Sequence, residues 1–284
     1  MSGGSNRGFT LIELVVAISI AAILVSFMAM FITTPMSAYF AQSRRTTLVT
    51  TADVALRMMA SDVHTALPNS VRLIASGSVV GIELLATTDM VEYRDAQSTP
   101  DPLGVDFNIA DRNFSTMGLF RNLVIPGGDF LSIGNAGTPG QDAYGLANVI
   151  TPAGATISST ADVSNAGEDD VSLSSSVIFR FPPSTHHLFL VSGPLSYLCD
   201  STAQTLTRFS GYSISPTTSG YSAGLLLANG ATSTVVARNV ASCQIDIVPP
   251  GAAPYGQLVI VRLLLSLGGD NLQLFQEVPV DNIP

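Results

Sequence analysis

The amino-acid sequence predicts an α+β fold, in which one long N-terminal helix packs on a β-rich globular domain. An uncharged, mostly apolar run lies between Glu13 and Arg44, and a helical repeat of apolar residues continues to about residue 67. From residue 70 onward, short apolar runs alternate with turn-forming Gly, Pro, Asn and Ser. The first two features predict the helix, and the third predicts the β-rich domain.

The composition limits the class of protein. The chain has 284 residues, of which 46% are apolar and only 12% are charged, a low charge content for a freely soluble enzyme. All 12 basic residues are Arg, and they stand against 21 Asp and Glu, so the formal net charge is −9. Because a nucleic-acid partner requires a basic face that neutralises phosphates, this balance argues against nucleic acid.

The apolar run at the N-terminus is long enough to cross a membrane. It covers residues 9–32 and follows a short polar leader, residues 1–8. The nineteen residues from Leu14 to Ile32 rise ~28 Å as a helix, about the thickness of the bilayer hydrocarbon. We therefore expect a single transmembrane segment over residues 9–32.

The position of Gly8 distinguishes this segment from an ordinary secretory signal. Such a signal has its small-residue cleavage site after the apolar core, whereas Gly8 comes before it. Cleavage at Gly8 would leave the apolar segment on the mature chain. Arg7 on the N-terminal flank predicts a cytoplasmic N-terminus, with the rest of the chain outside the inner membrane.

Glu13 is the charged residue that needs an explanation. A carboxylate inside a membrane helix costs ~2.5–3.5 kcal/mol on insertion scales. Either Glu13 lies close enough to the interface to stay hydrated, or it pairs with a cation when several such helices assemble. The sequence by itself leaves both interpretations open.

Residues 8–14, Gly-Phe-Thr-Leu-Ile-Glu-Leu, resemble the prepilin signature of type IV pilins and type II secretion pseudopilins. The resemblance implies that a membrane peptidase cleaves between Gly8 and Phe9 and methylates the new amino group of Phe9. It also implies that Glu13 acts in subunit assembly. The implied product is a structural subunit without a cofactor, not an enzyme.

The same resemblance implies the partners and the location. The partners are other pilins and minor pilins, contacted through their N-terminal helices, the prepilin peptidase and the inner-membrane assembly platform. The subunit would start as a single-pass inner-membrane protein with a periplasmic domain and end in a pilus at the cell surface. Residues 51–72 are similar to the larger minor subunits akin to pseudopilin J and the PilW-type minor pilins. Residues 189–200 and 280–284 are most similar to an MSHA-type minor pilin.

The region after the membrane segment is predicted to be helical up to Pro68. Pro35 is expected to end or kink the apolar helix because it removes one backbone donor. An amphipathic helix is then expected over residues 37–67, with Leu48, Ala52 and Met59 among its apolar positions.

The remaining residues, 68–284, are expected to form the β-rich domain. Residues 95–170 have few apolar runs and are predicted to be a long decorated insertion. Residues 225–227 are predicted to be a strand. Residues 258–267 are predicted to be a strand buried on both faces, in a hairpin with residues 272–278.

Two further groups of residues are candidate sites. Cys199 and Cys243 would be buried thiols in a cytosolic chain, but in a domain outside the membrane they are expected to form a disulfide. The run Glu168-Asp169-Asp170 is expected to be a solvated loop, with a calcium site as the alternative, although EF-hand spacing is absent. We expect no catalytic site and no other metal site.

Two functions of different classes remain open from the sequence alone. The chain is a structural subunit that initiates, assembles or caps a filament of pilus or secretion type. Alternatively it is a tip adhesin whose insertion, residues 95–170, binds a surface ligand.

Overall fold

Helix α1 dominates the computed structural model and extends from Leu11 to His64, a length of 54 residues. It continues through Pro35, so of the two outcomes expected at Pro35, an end or a kink, the end is wrong. The proline ring removes a single backbone donor, which a long helix can tolerate. The helix ends where the Thr65 N–H bonds the Ser61 carbonyl at 3.2 Å, followed by the Pro68 turn. The structure describes residues 8–96, 104–121, 129–249 and 257–280.

Within the described ranges the domain consists of twelve strands, one short helix and a 3-10 turn at Ala143–Gly145. The short helix, α2, covers Ala223–Ala228. The strands are β1 Arg72–Ser76, β2 Val79–Tyr93, β3 Asp111–Met117, β4 Phe130–Ser132, β5 Ile157–Ala161, β6 Asp169–Val177, β7 His187–Asp200, β8 Thr205–Ser210, β9 Thr232–Arg238, β10 Val240–Val248, β11 Gln257–Leu267 and β12 Asp270–Val280.

These strands form two antiparallel sheets. The larger sheet has the order β5-β6-β3-β2-β7-β8-β9, with β1 also paired to β2 and β4 to β7. The smaller sheet has the order β10-β11-β12. The fold is therefore α+β, with a long N-terminal helix and a β-rich domain, as the sequence predicted.

The segment expected to be a decorated insertion contributes strands to the larger sheet. Residues 95–170 contain β3, β4 and β5 and the start of β6, and β4 pairs directly with β7. Apolar residues that fill this part of the core, such as Phe114 and Ile157, stand singly between polar residues. Because no continuous apolar run marks them, these strands could not be recognised from the sequence.

Residues 225–227 are helical, so the predicted strand there is wrong. The Ser222 side chain caps α2 by accepting the Leu225 N–H at 3.2 Å. A short apolar run cannot distinguish a strand from a helix by its period, and the capping Ser before it was the better signal.

The predicted terminal hairpin is confirmed, but only one face of β11 is fully buried. Its burial alternates, with Val259, Val261, Leu263 and Leu265 buried and the residues between them half-buried. The prediction of burial on both faces is therefore wrong. The partner strand β12 also alternates, and Leu272, Leu274 and Val278 pack toward the core.

The second half of α1 packs against both sheets. Its buried residues recur every three or four positions, at Leu48, Ala52, Ala55, Leu56, Met59 and Val63. They form one cluster with the larger sheet, through residues such as Leu84, and with the smaller sheet, through residues such as Val261. Glu83 and Leu85, which alternate with Leu84 on β2, face the opposite side of the larger sheet.

Ion pairs fix α1 to the domain at both ends of this packed segment. At one end, Asp270 of β12 accepts from Arg44 Nε at 3.0 Å and from Arg45 Nε at 3.4 Å. At the other end, Asp62 accepts from Arg208 Nε at 2.7 Å and from the Tyr197 hydroxyl at 2.5 Å. The helix is therefore attached to the smaller sheet near residue 44 and to the larger sheet near residue 62.

A disulfide between Cys199 and Cys243 joins the two sheets. Cys199 lies on β7 and Cys243 on β10, and their Cα atoms are 6.3 Å apart. The pairing agrees with the sequence prediction. It closes a loop across 44 residues of sequence that includes β8, α2 and β9.

We predict that replacing Cys199 and Cys243 together by Ser lowers the free energy of unfolding by about 2–4 kcal/mol, because the open unfolded chain gains conformational entropy. Urea unfolding of the full chain in detergent, followed by near-UV circular dichroism, measures this. Ser242→Ala, at the exposed position next to Cys243, is the control and should leave the midpoint unchanged. Equal midpoints for the double variant and the wild type would contradict the prediction.

We also predict that Asp62→Ala lowers the free energy of unfolding by about 1–3 kcal/mol, because Arg208 and Tyr197 lose their shared acceptor. Asp53→Ala is the matched control: Asp53 pairs with Arg57 at 2.9 Å on the exposed side of the same helix. An exposed helical pair of this kind is worth about 0.5 kcal/mol or less. If the two variants unfold at the same urea concentration, the Asp62 cluster does not anchor the helix.

Candidate assembly site on the N-terminal helix

The chain before α1 is open to solvent. Gly8 and Phe9 precede the helix, and the Phe9 side chain is 77% exposed. Thr10 is the N-cap: its carbonyl accepts the Glu13 N–H at 3.1 Å and the Leu14 N–H at 3.2 Å. The peptide bond between Gly8 and Phe9 is therefore accessible, just outside the first helical turn. The other leader residues, 1–7, lie outside the described residues.

No described part of the domain covers the first half of α1. Every side chain described between Leu11 and Phe40 is exposed, and thirteen of those from Leu11 to Phe31 are large and apolar. Burying each of them is worth about 1.5–3 kcal/mol, so leaving all of them in water costs on the order of 20 kcal/mol or more. The stretch Leu11–Met28, with mean hydropathy 2.6, is long and apolar enough to cross a membrane.

The polar side chains of this stretch differ in how they are satisfied. Ser19 donates to the Val15 carbonyl and Ser26 to the Ala22 carbonyl, each at 2.8 Å. A hydroxyl bonded in this way to its own helix can enter an apolar environment at low cost. Glu13, in contrast, has no hydrogen-bond or ion-pair partner for its carboxylate among the described residues.

The helix itself compensates only part of the Glu13 charge. Glu13 lies in the first turn of α1, where the free N–H groups and the helix dipole favour an anion by about 0.3–1 kcal/mol. Removing an unpaired carboxylate from water costs several times that amount. In a bilayer interior or between apolar helices, Glu13 therefore requires a cation from another molecule or from a different part of the chain.

The three acidic residues considered as a calcium site bind protein groups. Glu168 accepts from Arg94 Nη2 with both oxygens, at 2.6 and 2.8 Å. Asp169 accepts the Phe120 N–H at 2.9 Å, and Asp170 accepts the Ser115 hydroxyl at 2.9 Å. In the part of the chain that the structure describes, no three ligating side chains converge on a common point.

The structure also shows charged groups that were not predicted from the sequence. The ion pair of Asp62 with Arg208 anchors α1, and Glu83 on β2 is buried against Arg72 with Nη2 and Oε2 2.5 Å apart. Their partners are distant in sequence or on another strand. The available signal was a charge next to buried apolar positions, as at Glu83 in the apolar run of β2.

Comparison with known proteins supports an interpretation of the N-terminus alone. A profile of the prokaryotic N-terminal methylation motif matches residues 4–29, which include Gly8, Phe9 and Glu13. No curated protein and no solved structure matches the chain. The chain thus carries a type IV pilin-like methylation motif on an apolar N-terminal helix, and a motif of this type implies a membrane-anchored structural subunit rather than an enzyme.

Proposed function

We propose that the chain is a minor subunit of a type IV pilus or of a related secretion pseudopilus, and that it polymerises through α1. One observation carries the proposal. The first half of α1 exposes a continuous apolar surface that contains a single unsatisfied carboxylate among its described residues, while the second half is fixed to the domain. Such a helix needs cover from a membrane first and from other helices afterwards.

Insertion into the inner membrane is the first step. The stretch Leu11–Met28 lies in the hydrocarbon, and Arg7 keeps the N-terminus cytoplasmic by the positive-inside rule. The domain is then outside the membrane, in an oxidising compartment. The disulfide between Cys199 and Cys243 is consistent with that location, because such bonds persist where thiols are not kept reduced.

Processing by the prepilin peptidase follows, at the bond between Gly8 and Phe9. The assembly platform then receives a mature chain that begins at Phe9. The free or methylated amine of Phe9 remains cationic, and it lies about one helical turn from Glu13 along the axis. The geometry of one helix disfavours a pair within the same chain.

Pairing between neighbouring subunits satisfies both charges. A subunit displaced along the filament axis brings its Phe9 amine to the Glu13 carboxylate of the next subunit. Between apolar helices an unpaired partner costs ~3–5 kcal/mol, so the pair favours the correct register as well as the association.

A tip adhesin is the second candidate function. The observation that favours it is the extension of the larger sheet past α1: Ala66, just after the helix, bridges to Ala86, and β2 continues for seven more residues to Tyr93. Strands β3 to β6 build on this extension, away from the membrane segment. The narrower assignment to an MSHA-type subunit, rather than a J-like pseudopilin, rests on the sequence segments 189–200 and 280–284.

We predict that Gly8→Val blocks removal of the leader. A Cβ at Gly8 would meet no protein atom within 4 Å, so the fold tolerates it, whereas the peptidase must bring its carboxylates close to this bond. Mass spectrometry of the N-terminus of membrane-extracted chains reads the outcome. Ser2→Val, at the far end of the leader, should be processed normally. A wild-type chain that retains Met1, or a Gly8→Val chain that begins at Phe9, would contradict the prediction.

We predict that Glu13→Val inserts and is processed normally but enters filaments at least tenfold less than wild type, with Glu13→Gln intermediate. The reason is that the Phe9 amine of the neighbouring subunit loses its partner, and an unpaired buried charge costs several kcal/mol. Ser19→Val is the matched control in the same apolar stretch, because the Ser19 hydroxyl already bonds its own helix and offers no charge to a neighbour. Quantitative immunoblots of sheared filaments against the membrane fraction measure incorporation. Wild-type incorporation of Glu13→Val would show that Glu13 is only an interfacial residue.

A further inference from the structure

A cavity of about 410 Å³ opens on the side of the larger sheet that α1 does not cover. One lining residue, Ile214, packs in the same cluster as Leu85 of β2. Leu84, the neighbour of Leu85, packs against α1, and successive residues of a strand face opposite sides of the sheet. A volume of this size lies within the range of small-molecule sites. None of the described lining residues belongs to α1.

Three glycines expose backbone to this cavity. Gly154, Gly193 and Gly211 all line it, and all have positive φ, at 79°, 124° and 81°. A Cβ on Gly154 or Gly193 would meet no atom within 4 Å, so their backbone borders open space. Gly193 pairs with Ala86, beside a register shift between β2 and β7, and such bulges are frequent next to functional sites.

Asp129 is the only charged side chain among the described residues that line the cavity. It is half-buried, and burial raises the pKa of its carboxyl. Within the described ranges its carboxylate makes no hydrogen bond or ion pair. A partly desolvated carboxylate that no described group pairs with favours a bound cation.

A buried polar cluster fixes one wall of the cavity. Tyr212 is one of the lining residues, and its hydroxyl donates to Glu83 Oε1 at 2.8 Å. The Tyr221 hydroxyl donates to the same oxygen at 3.1 Å, and Arg72 Nε donates to the other at 2.6 Å. Because Glu83 is fully buried, these bonds hold the segment from residue 211 to 214 in one position.

A second set of buried hydrogen bonds fixes another part of the cavity wall. Asn135 donates to the Pro68 carbonyl at 2.6 Å and accepts the Ala143 N–H at 2.9 Å. The Tyr144 hydroxyl donates to the Ser70 carbonyl at 3.0 Å. These bonds fasten the segment that continues to Leu146, which lines the cavity. The parts of the wall formed by Leu146 and by residues 211–214 are therefore held in place.

We propose that this cavity binds a small hydroxylated amine of the amino-sugar class, with its ammonium group on Asp129. Hydroxyl groups of the ligand would bond Ser213 and the exposed glycine backbone, and the sugar ring would pack on Phe130. None of the described lining residues is cationic, so an anionic or zwitterionic ligand would leave its negative charge unpaired. The inference goes beyond filament assembly and does not depend on it.

Isothermal titration of the full chain with glucosamine, in a zwitterionic detergent that contains no sugar, tests this proposal. We expect saturable binding to wild type and at least tenfold weaker binding to Asp129→Asn, because a charged hydrogen bond is lost. Glucose and N-acetylglucosamine, which lack the ammonium, should bind wild type at least tenfold more weakly than glucosamine does. Glu277→Gln removes one exposed carboxylate on β12 and should bind like wild type.

A second variant tests the position of the site independently of charge. Ser213→Trp places a large side chain at an exposed lining position, and it should abolish glucosamine binding while the urea midpoint stays unchanged. Three results would overturn the proposal: no glucosamine binding to wild type, equal binding to Asp129→Asn, or equal affinity for glucose. Filament formation is not measured in any of these titrations, so their failure leaves the proposed function of α1 standing.

Discussion

The structure depends on how α1 is covered along its length. From Leu48 to Val63 the two sheets bury one face of the helix, so the apolar side chains of this part are covered by the same chain. From Leu11 to Phe40 the described side chains have no cover, and the apolar surface among them is too large to remain in water. The same helix is thus a core element in one half and an external binding surface in the other. Glu13 adds a charge requirement to that surface, because no described group pairs with it.

The rest of the domain holds this helix in a fixed position. Arg44 and Arg45 bind Asp270 close to where the uncovered half ends, and these ion pairs attach the helix to the smaller sheet at that point. The disulfide between Cys199 and Cys243 links the smaller sheet to the larger sheet. The far side of that sheet, with its buried Glu83 cluster and its cavity, is left free of the helix and is available for a second role.

The sequence predicted best where local chemistry and position coincide. The order of Gly8, Phe9 and Glu13 at the start of an apolar run indicated the membrane helix and its motif, and the three- and four-residue repeat indicated the packed face. Prediction failed where tertiary contacts decide. Strands form within residues 95–170 because isolated apolar side chains meet across a sheet. The cavity around Asp129 depends on five separate segments of the chain. The one-sided burial of β11 likewise depends on which elements pack against it, which an apolar run does not specify.

The central claim, that one helix serves two environments, can be measured with single-cysteine reporters, since both native cysteines are bonded. Cys replaces Ile23 in the uncovered half or Ser61, which is exposed beside the domain, and intact spheroplasts are treated with a membrane-impermeant maleimide. We expect Ser61→Cys to be labelled at once and Ile23→Cys only after detergent is added. Equal labelling of both positions in intact spheroplasts would show that the first half of α1 is not in the membrane and would contradict the account.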